Sequence, residues 1–170
     1  MLQRKVCLVG DFAVGKSSLF NRFVYSRFSD TYLSTVGVRI QRKVIHVHAD
    51  DLALILWDTE GGRDRREIKE SYITGAVGAI IACDLTRVGT ILHCEEYAQL
   101  LRHGDQQMQI VLAGNKVDLV APDHPHLAVI RRVAQLIGAS LTLTSASSGD
   151  GVELLFQSLG ETLFHARTVA

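Results

Sequence analysis

Eight consecutive residues near the N-terminus have the types and spacing that bind phosphate. They are Gly10, Asp11, Phe12, Ala13, Val14, Gly15, Lys16 and Ser17, in the pattern G-x-x-x-x-G-K-[ST]. Glycines allow the backbone to curl so that successive N–H groups point at an anion. The pattern predicts that Lys16 reaches the β- and γ-phosphates of a nucleotide and that the hydroxyl of Ser17 binds Mg²⁺. A glycine turn that binds nothing is the alternative, and the apolar run before it, typical of a strand, disfavours that alternative.

Two further polar groups follow later predicted strands, Asn115, Lys116, Asp118 and Leu119 in one and Ser145, Ala146 and Ser147 in the other. A carboxylate at Asp118 can accept two hydrogen bonds, from the N1–H and the exocyclic amine of guanine. Adenine lacks this arrangement of donors, so a buried Asp118 would be left unpaired and would reject it. The backbone N–H near Ala146 is predicted to contact the guanine oxygen. For the first group, residues 115–118, taken alone, an ordinary polar exit from a strand is the alternative.

A further acidic residue, Asp58, ends another predicted strand in the run 56–61. A carboxylate at this position can hold Mg²⁺ through water. Gly61 offers an unhindered backbone N–H that can approach a γ-phosphate. A segment that is ordered only when this phosphate is bound would act as a switch.

These groups need a framework of alternating strands and helices to bring them together. The apolar pattern predicts strands at 5–10, 38–48, 52–58, 76–84, 109–115 and 140–144, and the second and third of these are predicted to form a hairpin that turns at 49–51. It predicts helices at 16–25, 91–102, 126–137 and 152–164, and another within 59–75. The result is a three-layer α/β domain with ligand-binding loops at the carboxyl ends of its strands.

Composition narrows the class of protein. The 170 residues are 47% hydrophobic, enough for one domain with a full core. Eighteen basic residues balance 18 acidic ones, so no net charge attracts nucleic acid or an anionic membrane. No signal peptide or membrane span is predicted, and three cysteines without disulfide or metal spacing favour a reducing, cytoplasmic compartment. The last residues hold no cysteine to prenylate, so we expect no intrinsic membrane anchor.

Longer segments resemble the small GTPases of the Ras superfamily, and the Rab branch in particular. Residues 28–38 resemble the Rab switch I, and residues 57–59 together with 71–76 resemble its switch II region. Residues 149–159 resemble the final loop and helix of the family. The resemblance extends from about Arg4 to Phe164, with the nucleotide motifs in the same order.

The resemblance implies a fold, cofactors and partners. The fold would be that of a P-loop NTPase, a single G domain over residues 1–170 with a six-stranded, mostly parallel sheet, one antiparallel strand and about five helices. The function would be a GTP/GDP switch with Mg²⁺ as cofactor. Protein effectors would read the switch, and an exchange factor and an activating protein would control it. The family also implies a monomer.

The resemblance assigns roles to individual residues. Thr35 would bind Mg²⁺ and sense the γ-phosphate, and Tyr32 and Ser18 would contact the nucleotide. Phe28 would pack its ring against the guanine and Lys116 would lay its stem along the base; a core phenylalanine and a solvated lysine are the alternatives. The residues implied in catalysis are Lys16, Thr35, Gly61 and Gly62, and those implied at the metal are Ser17, Thr35 and Asp58.

Three positions depart from the usual pattern of the family. Gly62 stands where a glutamine usually orients the attacking water, so we expect slow intrinsic hydrolysis of GTP. Phe12 is bulky where relatives are small, and Glu60 adds negative charge beside the metal site. A GTP-binding interaction module that does not turn over is therefore the alternative function. An ATP-using phosphotransferase on the same loop is disfavoured by Asp118.

Overall fold

The computed structural model describes residues 1–29, 37–59 and 68–166 of the chain, and their strands form one six-stranded sheet. The strands are β1 (Leu2–Val9), β2 (Val38–Val47), β3 (Asp50–Thr59), β4 (Gly78–Asp84), β5 (Gln109–Asn115) and β6 (Ser140–Leu143). Their order across the sheet is β2-β3-β1-β4-β5-β6. β2 pairs antiparallel with β3, and every other neighbouring pair is parallel. The expected mostly parallel sheet with one antiparallel strand is confirmed.

Helices cover both faces of this sheet. They are α1 (Lys16–Tyr25), α2 (Glu70–Ile73), α3 (Val88–Leu92), α4 (Cys94–Gly104), α5 (Pro125–Ile137) and α6 (Val152–His165). The predicted helix 91–102 begins earlier and is divided at His93 into α3 and α4. Counted as one broken helix, α3 and α4 bring the described part of the chain to the expected five.

The core lies in two layers, one on each face of the sheet. One layer packs α1 and α6 against the sheet, and the other packs α3, α4 and α5 against the opposite face. Within the first layer the rings of Phe23 and Phe156 stack in parallel, with their centroids 3.9 Å apart. This contact joins α1, which follows the phosphate-binding loop, to the C-terminal helix.

The hairpin turn differs from its predicted position. β2 and β3 join through His48 and Ala49, and Val47 pairs with Asp50, whereas the sequence predicted a turn at 49–51. The pairing partners along the hairpin therefore differ from those predicted. As a result, Asp58 faces Arg39 across the ladder.

The three cysteines of the chain, Cys7, Cys83 and Cys94, are all free and buried, as expected of small apolar core residues. Burial raises the pKa of the Cys7 thiol to about 12, which keeps it protonated and unreactive at neutral pH. No helix in the described ranges is both long and apolar enough to cross a membrane.

Truncating the stacked ring of α6 tests this packing. We expect Phe156→Ala to lower the free energy of unfolding by about 3–5 kcal/mol, because it removes a fully buried ring and leaves a cavity against Phe23. Leu154→Ala on the same helix is the control, since Leu154 is 63% exposed and its loss should cost less than about 0.5 kcal/mol. Urea unfolding in one buffer measures both. Equal losses in the two variants would contradict the packing described.

Candidate functional site

The ends of four strands bring the predicted motifs to one edge of the sheet. The phosphate-binding loop (residues 10–17) follows β1, and Asp58 lies near the end of β3. Asn115 ends β5, and Ser145 comes shortly after β6. β1 lies between β3 and β4, so the loop emerges where successive connections leave for opposite sides of the sheet. Open α/β sheets bind their ligands at such a point.

Two glycines of the phosphate-binding loop are required by close contacts. A Cβ built at Gly10 would overlap the carbonyl oxygen of Ala82, and one at Gly15 would overlap the side-chain amide of Asn115. Both glycines also have positive φ, 150° and 101°, which L side chains rarely adopt. Ala13 has a φ of 60°, in the left-handed region, so the backbone of the loop is curled at this residue.

Lys16 begins α1 and points back across the loop. Lys16 is 5% exposed, and its Nζ donates to the carbonyl oxygens of Gly10 and Asp11, at 2.9 Å each. Burial lowers the pKa of Lys16 to about 8, although the carboxylates of Asp58 and Asp11 oppose the change. The amine therefore donates its hydrogen bonds to backbone carbonyl oxygens, and a phosphate oxygen could replace these acceptors.

The side chain of Asp11 ties the loop to the junction of α3 and α4. Its carboxylate accepts a hydrogen bond from the Tyr97 hydroxyl at 2.8 Å, and its other oxygen lies 2.5 Å from His93 Nδ1. Phe12 is partly buried, and its carbonyl oxygen accepts from Arg87 Nη2 at 2.9 Å. The outer side of the loop is thus held by residues that follow β4.

Lys116 is anchored rather than solvated. Its Nζ donates to the carbonyl oxygen of Ala13 at 3.0 Å and pairs with Asp84 Oδ2 at 2.7 Å. Burial alone would raise the pKa of Asp84, but hydrogen bonds from Lys116, Thr86 and Arg87 outweigh it and lower the pKa below its usual range. Asp84 is therefore a fixed anion that holds both cations against the carbonyl side of the loop.

Asn115 joins three segments of the site through one buried amide. Its Nδ2 donates to the carbonyl oxygen of Val14 at 3.0 Å. Its Oδ1 accepts from the Thr144 hydroxyl at 3.1 Å and from the backbone N–H of Ala146 at 3.3 Å. The side chain thereby fixes the phosphate-binding loop relative to the segment that follows β6.

The segment after β6 is also tied to α1. Arg22 donates to the carbonyl oxygens of Ala146 and Ser147, at 2.8 and 2.5 Å. Ser145 is fully buried and its hydroxyl accepts from the backbone N–H of Ser148 at 3.1 Å. The N–H of Ala146, predicted to face guanine, is directed at Asn115 in this structure.

Ser17, Asp58 and Arg39 form a charged cluster beside Lys16. Asp58 is completely buried, and its Oδ2 accepts from the Ser17 hydroxyl at 2.7 Å and from Arg39 Nη2 at 2.8 Å. Its Oδ1 is buried and has no hydrogen-bond partner among the described residues. A hydroxyl and a carboxylate with an unused oxygen are hard donors that fit Mg²⁺. The residues present therefore fit the metal that the sequence predicted.

The residues predicted to contact the base lie at the surface. Asp118 and Leu119 fall in a short 3₁₀ turn, Val117–Leu119, and both are exposed. Phe28 is 37% exposed, so it is not a core phenylalanine. The rejection of adenine inferred for a buried Asp118 therefore depends on burial that a bound base would have to provide. Ser18 lies in the first turn of α1, beside the loop.

Several predicted residues lie outside the described ranges. They are Tyr32, Thr35, Gly61 and Gly62, together with Glu60. Their roles at the γ-phosphate, the metal and the attacking water stay predictions.

Four charged residues of the site were not found from the sequence. They are Asp84, Arg87, Arg22 and Arg39. Asp84 had a usable signal, because it ends a buried strand at the ligand edge. Arg22 and Arg39 had none beyond their charge, since helix packing and hairpin register decide where they lie.

Comparison with known proteins places the chain in a family. The sequence matches the Ras family over residues 5–165. It is 36% identical over 162 residues to the Ras-related protein YPTC6 of Chlamydomonas reinhardtii, covering 95% of this chain and 75% of that protein. It is 33% identical over 162 residues to the Ras-related protein RABA4b of Arabidopsis thaliana, covering 95% and 72%. It is 35% identical over 153 residues to the Ras-related protein Rab11A of Lotus japonicus, covering 89% and 68%.

The lowered pKa of Lys16 predicts proton uptake when a polyphosphate binds. At pH 8.5 an amine with a pKa of about 8 is mostly neutral, and a bound phosphate restores its charge, so we expect uptake of about three quarters of a proton per GDP. Titration calorimetry of the nucleotide-stripped protein in two buffers of different protonation enthalpy measures this number.

Lys16→Arg is the matched control for this measurement. Its guanidinium stays protonated, so the variant should take up no proton at this position. Equal uptake by the two proteins would show that Lys16 is not the group that titrates.

Proposed function

The chain belongs to the Ras family of small GTPases and is Rab-like, and we propose that it is a Mg²⁺-dependent switch that binds GTP and GDP in a single G domain, residues 1–170. In this proposal the nucleotide phosphates lie in the phosphate-binding loop and the guanine lies against the residues that follow β5 and β6. GTP is hydrolysed slowly to GDP and phosphate, and protein effectors distinguish the two states.

One observation carries the proposal. The buried amide of Asn115 bonds both to the phosphate-binding loop and to the segment 144–146, so two separate loops of the site form one hydrogen-bonded unit. A buried polar side chain with three hydrogen bonds fixes the positions of the loops that it joins. A polar residue that merely ends a strand at the surface would need no such bonds. This arrangement supports a site that holds a phosphate and a base at a set distance.

The described residues divide the work of binding. Lys16 exchanges its two carbonyl partners for phosphate oxygens and neutralises their charge. The curled backbone of residues 10–17 directs N–H groups at the same oxygens. Ser17 and Asp58 would hold Mg²⁺, together with Thr35, and the metal would supply positive charge on the phosphates. Val14 and Ser18 complete the cradle at the start of α1.

The base is read by residues that become buried only with the ligand. We assign the two donors of guanine to the carboxylate of Asp118, one face of the base to the Lys116 stem and the other to the Phe28 ring. Lys116 is already fixed by Ala13 and Asp84, which supports this role. Leu119, Ser145, Ala146 and Ser147 line the same pocket in this proposal.

Asparagine at position 118 tests the base assignment. Asp118→Asn replaces one acceptor by a donor, and the loss of two charge-assisted hydrogen bonds should weaken GDP binding by about 10²- to 10⁴-fold. Competition against a fluorescent GDP measures it, and unlabelled GTP but not ATP should displace the probe from the unchanged protein. Asp123→Asn, which removes the same charge from the loop that follows, is the control and should bind like the unchanged protein. Displacement by ATP as effective as that by GTP would refute guanine specificity.

Hydrolysis is expected to be slow because residue 62 has no side chain to orient water. The second candidate, a GTP-binding module without turnover, is favoured by this same glycine and by the bulky Phe12. Both candidates share the nucleotide site, so they differ only in the rate of the chemical step.

Glutamine at position 62 separates the two candidates. We expect Gly62→Gln to raise the single-turnover rate of GTP hydrolysis by at least about tenfold, because a water molecule that is already oriented for attack lowers the activation barrier. Gly104→Gln is the control, because a Cβ at Gly104 would have no atom within 4 Å and the residue lies far from the loop in sequence. Phosphate release measured with preloaded GTP gives the rate. An unchanged rate would mean that position 62 does not limit hydrolysis.

Family membership also supports the partners proposed here. We propose that effectors, an exchange factor and an activating protein contact the switch segments 28–38, 57–59 and 71–76, and that the protein acts as a monomer. The three free, buried cysteines fit a reducing compartment, and we propose the cytoplasm.

A further inference from the structure

A cation of the chain itself lies on the carboxylate that we assign to the magnesium site. Arg39 and Asp58 are directly opposite in the β2–β3 ladder, so their side chains share one face of the sheet. The guanidinium donates twice to Asp58 Oδ2, from Nη2 at 2.8 Å and from Nε at 3.2 Å. Because the carboxylate is completely buried, leaving it without a counter-charge would be costly.

The neighbouring residues of α1 hold the guanidinium in this position. Its Nη1 donates to Asn21 Oδ1 at 3.3 Å, and its central carbon lies 5.0 Å from the centroid of the Phe20 ring. At the same time 43% of the Arg39 side chain is exposed, so the guanidinium can withdraw towards solvent. Arg39 is thus positioned on Asp58 but is not locked there.

Magnesium and Arg39 make opposing demands on the same carboxylate. Ser17 and Arg39 both bond to Oδ2, and only Oδ1 is left without a partner among the described residues. A divalent ion held by Ser17 and Asp58 would lie close to the guanidinium, and like charges at this range repel each other. Either cation neutralises Asp58, but each lowers the affinity of the site for the other.

We propose that Arg39 competes with Mg²⁺ for Asp58 and acts as the counter-ion of Asp58 when the metal is absent. The inference rests on the proposed function, because it takes Asp58 as a metal residue beside a bound nucleotide. With the guanidinium in place, the buried carboxylate does not repel the phosphates even without metal. The protein therefore keeps its guanine nucleotide with less dependence on Mg²⁺ than it would with a neutral residue at position 39.

Release of a fluorescent GDP at a series of free Mg²⁺ concentrations tests the proposal. For Arg39→Ala we expect half-maximal retention of GDP at about tenfold lower Mg²⁺ than for the unchanged protein, because the variant has no guanidinium to repel a metal ion at Asp58. Chelation by EDTA should accelerate GDP release more in the variant, because its Asp58 is left unpaired beside the phosphates. Arg39→Gln keeps much of the size and the hydrogen-bonding groups of the side chain but removes its charge, so it should behave like Arg39→Ala. It takes the place of the alanine variant if that variant does not fold.

Lys43→Ala is the matched control. Lys43 lies on the same strand and the same face, and its Nζ lies 5.6 Å from the Phe23 ring centroid, so the control removes a positive charge and a ring contact from the same sheet face. It should need as much Mg²⁺ as the unchanged protein. If all the proteins bind GDP with one Mg²⁺ dependence, the competition is refuted while the proposed function stands. If none binds GDP at saturating Mg²⁺, the proposed function fails and this inference fails with it.

Discussion

The buried amide of Asn115 is the interaction on which the rest of the site depends. Val14 lies in the loop after β1, and Thr144 and Ala146 lie in the segment after β6. Each of them forms a hydrogen bond with this one side chain. Since the amide is 2% exposed, water cannot replace a partner that moves away. Any displacement of the phosphate-binding loop would therefore strain the hydrogen bonds that Asn115 makes with the segment after β6. Gly15 belongs to the same constraint, because the amide occupies the space that a Cβ would need.

Charge balance provides a second constraint around the same loop. Cations of the chain donate to carbonyl oxygens of the loop: Lys16 to Gly10 and Asp11, Lys116 to Ala13, and Arg87 to Phe12. Asp84 and Asp58, both buried, hold these cations or stand close to them. Four carbonyl oxygens of the loop are therefore bonded to cations, which bring positive charge to the loop.

The sequence predicted the sheet, most helices and the position of the loop 10–17 at the end of β1, because each of these depends on local pattern. Residues 10–17 and 115–118 follow apolar strands, and parallel strands bring their carboxyl ends to one edge. Arg39 could not be found in this way. A turn at 49–51 pairs 48 with 52 and hence residue 42 with Asp58, whereas the observed two-residue turn pairs 47 with 50 and Arg39 with Asp58. The difference in register therefore places Arg39, instead of Arg42, opposite Asp58 and on the same face of the sheet.

The side chains assigned to the phosphates and those assigned to the base differ in how far they are buried. Lys16 and Asn115 are buried and have hydrogen-bond partners, so little ordering of these side chains would remain to oppose phosphate binding. Asp118 and Phe28 are exposed, and a carboxylate in water loses little when it meets the wrong base. Discrimination then requires the base to be enclosed, since only a desolvated Asp118 makes an unpaired acceptor expensive. Affinity in this chain should therefore come first from the phosphates, and specificity should develop as the base becomes buried.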